Sequence, residues 1–149
     1  MARKNDKVHT AVIIGDAEDE AALLALCPDL PQWPQRWQIA SGDLAVGERI
    51  VEAFKPFLRH LIQRGLAPKT LRRHRDHLWM LGGELIRRRH EEPELKSRSV
   101  SSLIAELIDD ETGPLIWPRI SESAQDAFDG TCRQLHRFLS NAAATANKS

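Results

Sequence analysis

The 149 residues include no tyrosine, two cysteines and two methionines, and only 5% of them are aromatic. Without a phenol the chain has no tyrosyl oxygen to use as a nucleophile. Cys27 and Cys132 lie far apart and lack paired-ligand spacing, which excludes a disulfide framework and a zinc module and points to a reducing cytoplasm. No apolar run approaches a membrane span, and Ala11–Ile14 is too short for a signal segment despite Arg3, Lys4 and Lys7 before it. Glycine loops of the Walker or dinucleotide type are missing, so no cofactor and no small-molecule substrate are expected. Net charge is absent too: 21 basic side chains balance 21 acidic ones, so bulk electrostatics drive the chain onto neither membranes nor nucleic acid.

What is present suits a helical domain. The content of 42% hydrophobic and 28% charged residues fits one domain with a genuine core. The charge is unevenly spread, at +2 over 1–15, −5 over 16–45, +6 over 46–98, −6 over 99–130 and +3 over 131–149. A basic middle with acidic flanks allows a basic face on a neutral body, and equally allows the flanks to fold over and mask it.

Residues 1–40 read as an extension: a short helix over Ala17–Cys27 with Asp16 as N-cap, then an extended connector at Pro28–Pro34 strapped to the core by Trp33, Trp37 and Ile39. Residues 41–140 read as the main domain. Val46, Ile50, Phe54, Phe57, Leu58, Leu61 and Ile62 recur at helical spacing behind a Ser41 or Asp43 cap, with a kink or two abutting helices expected near Ala53–Lys55 because of Pro56, and a C-cap at Gly65. A second helix from Pro68–Thr70 to about His90 has Leu71, His74, Leu78, Leu81 and Leu85 inward, with Arg73, Asp76, His77, Met80, Glu84 and Arg87 outward. Gly82-Gly83 in mid-helix implies a bend or the close approach of another helix. Arg87–His90 suits a helix C-terminus. After a polar linker, Ser99 or Ser101 caps a third helix through Ile108, Ile116–Pro118 reads as a buried loop, and a fourth helix runs from Ser121 or Ser123 to Leu139. Strand-type alternation is confined to Val12–Ile14, and residues 141–149 read as a flexible tail. The expected fold is an all-α bundle of about four main helices.

The stretch from Gly65 to Leu81 stands out. It reads as a capped helix start with cations crowded into its first turns, where free amides, a threonine hydroxyl and the helix dipole already favour an anion. Metal is not expected, since the pairs His74/His77 and Cys132/His136 each lack third and fourth ligands.

Phe57-Leu58, Leu61-Ile62 and the run Gly65-Leu66-Ala67-Pro68-Lys69-Thr70-Leu71-Arg72-Arg73-His74, with Leu78, resemble the N-terminal core-binding domain of phage integrases and other tyrosine recombinases. The resemblance covers roughly Leu44 to Leu139. It implies a SAM-like four-helix bundle that clamps duplex DNA, with Lys69, Thr70, Arg72, Arg73 and His77 approaching the DNA. The absent tyrosine, and a length expected to leave no room for a catalytic domain, remove strand cleavage from that implication. The expected function is a non-catalytic DNA-binding module, weak on its own and accessory to or a remnant of a mobile element. The alternative is a protein-interaction bundle with no DNA binding, for which Trp79 and Met80 offer apolar surface.

Overall fold

Gly65 has a φ of +71°, a left-handed conformation that glycine adopts without strain, and it turns the chain between two long helices. The computed structural model describes residues 17–148. They form α1 (17–26), a 3-10 turn (Leu30–Gln32), α2 (Trp33–Trp37), α3 (Asp43–Gln63), α4 (Pro68–Glu91), a 3-10 turn (Pro93–Ser97), α5 (Val100–Leu107) and α6 (Glu122–Lys148). The described residues are 78% helix in six helices, with no strand among them, so the fold is all-α. The expected cap at Asp16 and the apolar run Val12–Ile14 lie outside the described residues.

The proline-rich segment is not an extended connector. Pro31 and Pro34 each occupy the first turn of a helical element, where the missing amide hydrogen costs nothing and the fixed φ suits a helix. The resulting turn carries Trp33 and Trp37 into one core with Leu23, Cys27 and Leu30, while Ile39 stays 61% exposed. The rings of Trp33, Trp37 and Trp79 form a cluster with centroids 5.4–5.6 Å apart. The Trp37 indole N–H donates to the Trp79 carbonyl at 3.0 Å. The same indole explains the mid-helix glycine, since a Cβ on Gly82 would lie 2.2 Å from Trp37.

In α3 the apolar stripe runs from Val46 through Ile50, Phe54, Phe57 and Leu58 to Leu61, all buried. Of the kink or two abutting helices expected near Ala53–Lys55, the second does not occur, since one helix runs through Pro56. Pro56 and Glu52, whose carbonyl loses its partner, both face solvent, so water can take the place of the missing bond. Gly42 is the N-cap, and Asp43 folds back to accept the amide hydrogens of Ile39 and Ala40, each at 2.9 Å.

Ser99 caps α5 by accepting the Ser102 amide. Val100, Leu103, Ile104 and Ile108 are buried there. The loop that follows is tied down by Gln125 of α6, whose amide oxygen accepts the Ile116 and Trp117 N–H groups while its nitrogen donates to the Pro114 carbonyl and Asp129. Ile116 is buried, but Trp117 is 46% exposed and so does not match the buried reading of that loop. Ser121 caps α6 through the Ala124 amide, and helical backbone continues to Lys148, past the expected end at Leu139.

Candidate nucleic-acid interface

The start of α4 leaves backbone donors free. Its N-cap is Ala67, no side chain caps it, and the first internal bond is made by the Leu71 amide to the Ala67 carbonyl. The capped start read from the sequence is therefore an uncapped one. Pro68 has no amide hydrogen, which leaves those of Lys69 and Thr70 at the positive end of the dipole. Lys69, Arg72 and Arg73 are exposed and lie at i, i+3 and i+4, so they share one helix face. Thr70 is half-buried. Asp76 ends this face one turn later, and its carboxylate is held by Arg75 at 2.9 Å.

His77 does not belong to this surface. It is only 9% exposed and turned inward, in edge contact with Phe128 of α6. Its Nδ1 lies 2.6 Å from the Thr131 hydroxyl, and the Nδ1 of buried His74 lies 2.8 Å from the same oxygen. One neutral ring can donate to that oxygen while the hydroxyl donates to the other, so complementary tautomers satisfy all three groups. Burial first, then the guanidiniums of Arg73 and Arg64, hold the His74 pKa below the ordinary value. Burial, then His74 and Arg73, do the same for His77. These histidines fasten α4 to α6 beneath the cations. Spacing was the overlooked signal: His77 lies three residues after His74 and four before Leu81, on the apolar stripe.

Cations from two other helices stand beside this face. Arg64, just past the end of α3, points its guanidinium at the Gln134 side chain of α6, 3.5 Å away. Arg64 and Arg137 line a groove of about 660 Å³ between the end of α3 and α6. Arg59, Arg75, Arg87, Arg98 and Arg119 each hold a carboxylate. Among the described residues Arg49, Lys96 and Arg133 hold none, and neither do five cations at this end of the fold, Arg64, Lys69, Arg72, Arg73 and Arg137. The acidic flank over residues 17–45 reaches α3 through Glu20 and Arg59, and α4 through the Leu26 carbonyl and Arg75, without covering these five side chains.

The far half of α4 has the opposite character. Buried Glu84 was expected to face outward, but it accepts from Arg87 at 2.7 Å and from Arg119 at 2.6 Å, with Arg88 3.8 Å away. Burial would raise its pKa, yet the hydrogen bonds from Arg87 and Arg119 outweigh that and lower it. Asp43, at the start of α3, meets His90 at 2.7 Å and Arg89 at 3.6 Å at the end of α4. Burial opposes ionisation there too, but the Ala40 amide, His90 and the Ile39 amide prevail and keep its pKa low. Arg87, Arg88 and Arg89 are thus joined to the fold's own carboxylates.

The remaining chemistry is quiet. Burial, reinforced at Cys27 by Asp29 and at Cys132 by Asp129, pushes both free thiols up to about 12. Among the described residues no group of three or more His, Cys, Asp or Glu side chains could hold a metal ion. No described helix is long and apolar enough to cross a membrane. With that geometry in place, comparison with family models, curated proteins and solved structures found no match to this chain.

Proposed function

We propose that this chain is a non-catalytic DNA-binding module whose contact surface is the start of α4. The observation that carries the reading is a cluster of cations: Lys69, Arg72 and Arg73 stand exposed on one face without carboxylate partners beside an uncapped helix start, whereas Arg59, Arg75, Arg87, Arg89, Arg98 and Arg119 hold carboxylates. Backbone amides at a helix start and adjacent cations suit phosphate oxygens, which position a protein on DNA without reading its sequence. The sequence likeness to the recombinase core-binding domain supports the same reading, as an accessory or remnant of a mobile element in the cytoplasm. His77 is not among the proposed contacts.

Fluorescence anisotropy with a labelled mixed-sequence duplex at low salt tests it. Binding is expected to be weak, steeply salt-dependent and nearly indifferent to sequence, and to fall when Arg72→Ala and Arg73→Ala are combined. Absence of binding, or binding untouched by that double substitution, refutes it.

The second reading, a protein-interaction bundle, rests on a groove of about 490 Å³ between α1 and α3, where Leu24, Leu30, Pro31, Pro34 and Val51 are bordered by the charged side chains of Glu20, Glu48, Arg49, Glu52 and Lys55. Trp79 no longer supports it, because its ring is packed against Trp33 and Trp37. A mass from light scattering above that of the monomer, together with no DNA binding, favours this alternative.

A further inference from the structure

The groove between the end of α3 and α6 brings cations, amides and rings together. Its walls include His60, Arg64, Gln134, Arg137, Phe138 and Asn141, and no carboxylate lines it. The His60 ring rests against Phe138, with centroids 5.0 Å apart, and both rings line the groove. Such a combination of cations, amide donors and a ring face, without an acid, suits a phosphate-bearing ligand.

Position along α6 links this groove to the α4 face. Thr131 touches His74 and His77 of α4, Gln134 meets Arg64 three residues later, and Arg137 and Phe138 follow after one more turn. These positions recur at three- and four-residue intervals, so one face of α6 runs from beneath the α4 cations into the groove. Arg64 is the bridge. It lines the groove, and it lies close enough to His74 to lower that ring's pKa together with Arg73.

We infer that Arg64 and Arg137 form a second phosphate-contact site, so that a DNA backbone held at Lys69, Arg72 and Arg73 continues across Arg64 into the α3–α6 groove. This inference rests on the DNA-binding reading and extends it to residues of two further helices. It makes the interface a surface shared by α3, α4 and α6 rather than one helix tip.

The test compares three forms of the full chain: the parent, Arg64→Gln with Arg137→Gln, and Arg72→Ala with Arg73→Ala. Each is titrated against the same labelled duplex at several salt concentrations, and helical circular dichroism checks its folding. For the groove pair, affinity is expected to fall alike for every sequence, and the slope of log affinity against log salt to become shallower by about two, one for each lost phosphate contact. Replacement by lysine at both positions is expected to preserve the slope, which a packing role for the arginines would not predict. If the groove pair keeps the parent's slope and affinity while the α4 pair loses them, the inference fails and the DNA-binding reading stands. If the parent binds no duplex, both fail. A mononucleotide that saturates the parent while the duplex competes poorly identifies a site for isolated nucleotides and overturns the inferred continuous backbone path.

Discussion

The hydroxyl of Thr131 lies 2.8 Å from His74 Nδ1 and 2.6 Å from His77 Nδ1, so one oxygen on α6 joins two imidazoles on successive turns of α4. Thr131→Val keeps the shape and removes the oxygen, leaving two ring nitrogens without their partner. We expect a loss of about 1–3 kcal/mol, read as a lowered urea midpoint at unchanged slope, and substantial recovery in Thr131→Ser. A valine variant as stable as the parent would mean that this contact contributes nothing.

The same pair predicts a pH dependence. In the native state both rings resist protonation, chiefly through burial. The unfolded chain takes up protons near the ordinary histidine value of about 6.5. Their contribution is therefore fully present above that value and is lost as pH falls toward the depressed native values. Urea titrations between about pH 7.5 and pH 5 are expected to show stability falling on acidification, with a shallower fall in a chain carrying His74→Gln and His77→Gln.

The adjacent mid-helix glycines should respond in opposite directions. A methyl group on Gly82 meets the Trp37 ring at 2.2–2.7 Å, whereas on Gly83 it makes ordinary contact at 3.6 Å. Gly82→Ala is expected to cost about 1–3 kcal/mol by displacing the indole. Gly83→Ala is expected to gain up to about 1 kcal/mol from helix propensity. Thermal melts with tryptophan fluorescence distinguish them, since only the first disturbs the indole cluster.

Pro56 offers a stabilising change. It lies inside the continuous helix α3 with its ring toward solvent, so alanine restores a backbone bond to the Glu52 carbonyl without entering the core. Pro56→Ala is expected to raise stability by about 1–3 kcal/mol, measured by denaturant unfolding. A destabilised variant would show that the proline's fixed φ sets the path of α3.

Most of the helical architecture was legible because the core stripes of α3, α4, α5 and α6 follow the helical period, and because Gly65, Pro68, Ser99 and Ser121 mark boundaries by their own chemistry. The misreadings have local causes. Side-chain polarity alone points His77 and Glu84 outward, although their spacing from Leu81 places both on the inward stripe. Burial of each depends on partners remote in sequence, Thr131 for one and Arg119 for the other, which no local pattern reveals. The prolines from Pro28 to Pro34 suggest chain breakers, but at the first turn of a short helix a proline is favourable. At the candidate interface the cations were visible as a cluster; that Arg64 and Arg137 stand beside them follows only from how α3 and α6 pack.

The latch between Asp43 and the end of α4 has an electrostatic consequence at the opposite end of that helix. Arg72 and Glu84 are twelve residues apart, and Arg73 and His90 seventeen, which at the helical rise of ~1.5 Å gives about 18 Å and about 26 Å. Physiological salt screens charges beyond about 8 Å, so a phosphate arriving at Arg72 feels the nearby cations and little of Glu84 or Asp43. At about 0.01 M salt the screening length grows to about 30 Å, and those carboxylates come within reach. They come within reach together with the arginines that hold them, Arg87, Arg88 and Arg119 on Glu84 and Arg89 on Asp43, so their fields cancel at that distance. The attraction at Arg72 is thus set by the α4 tip at either salt, and the slope of log affinity against log salt counts the phosphate contacts made there.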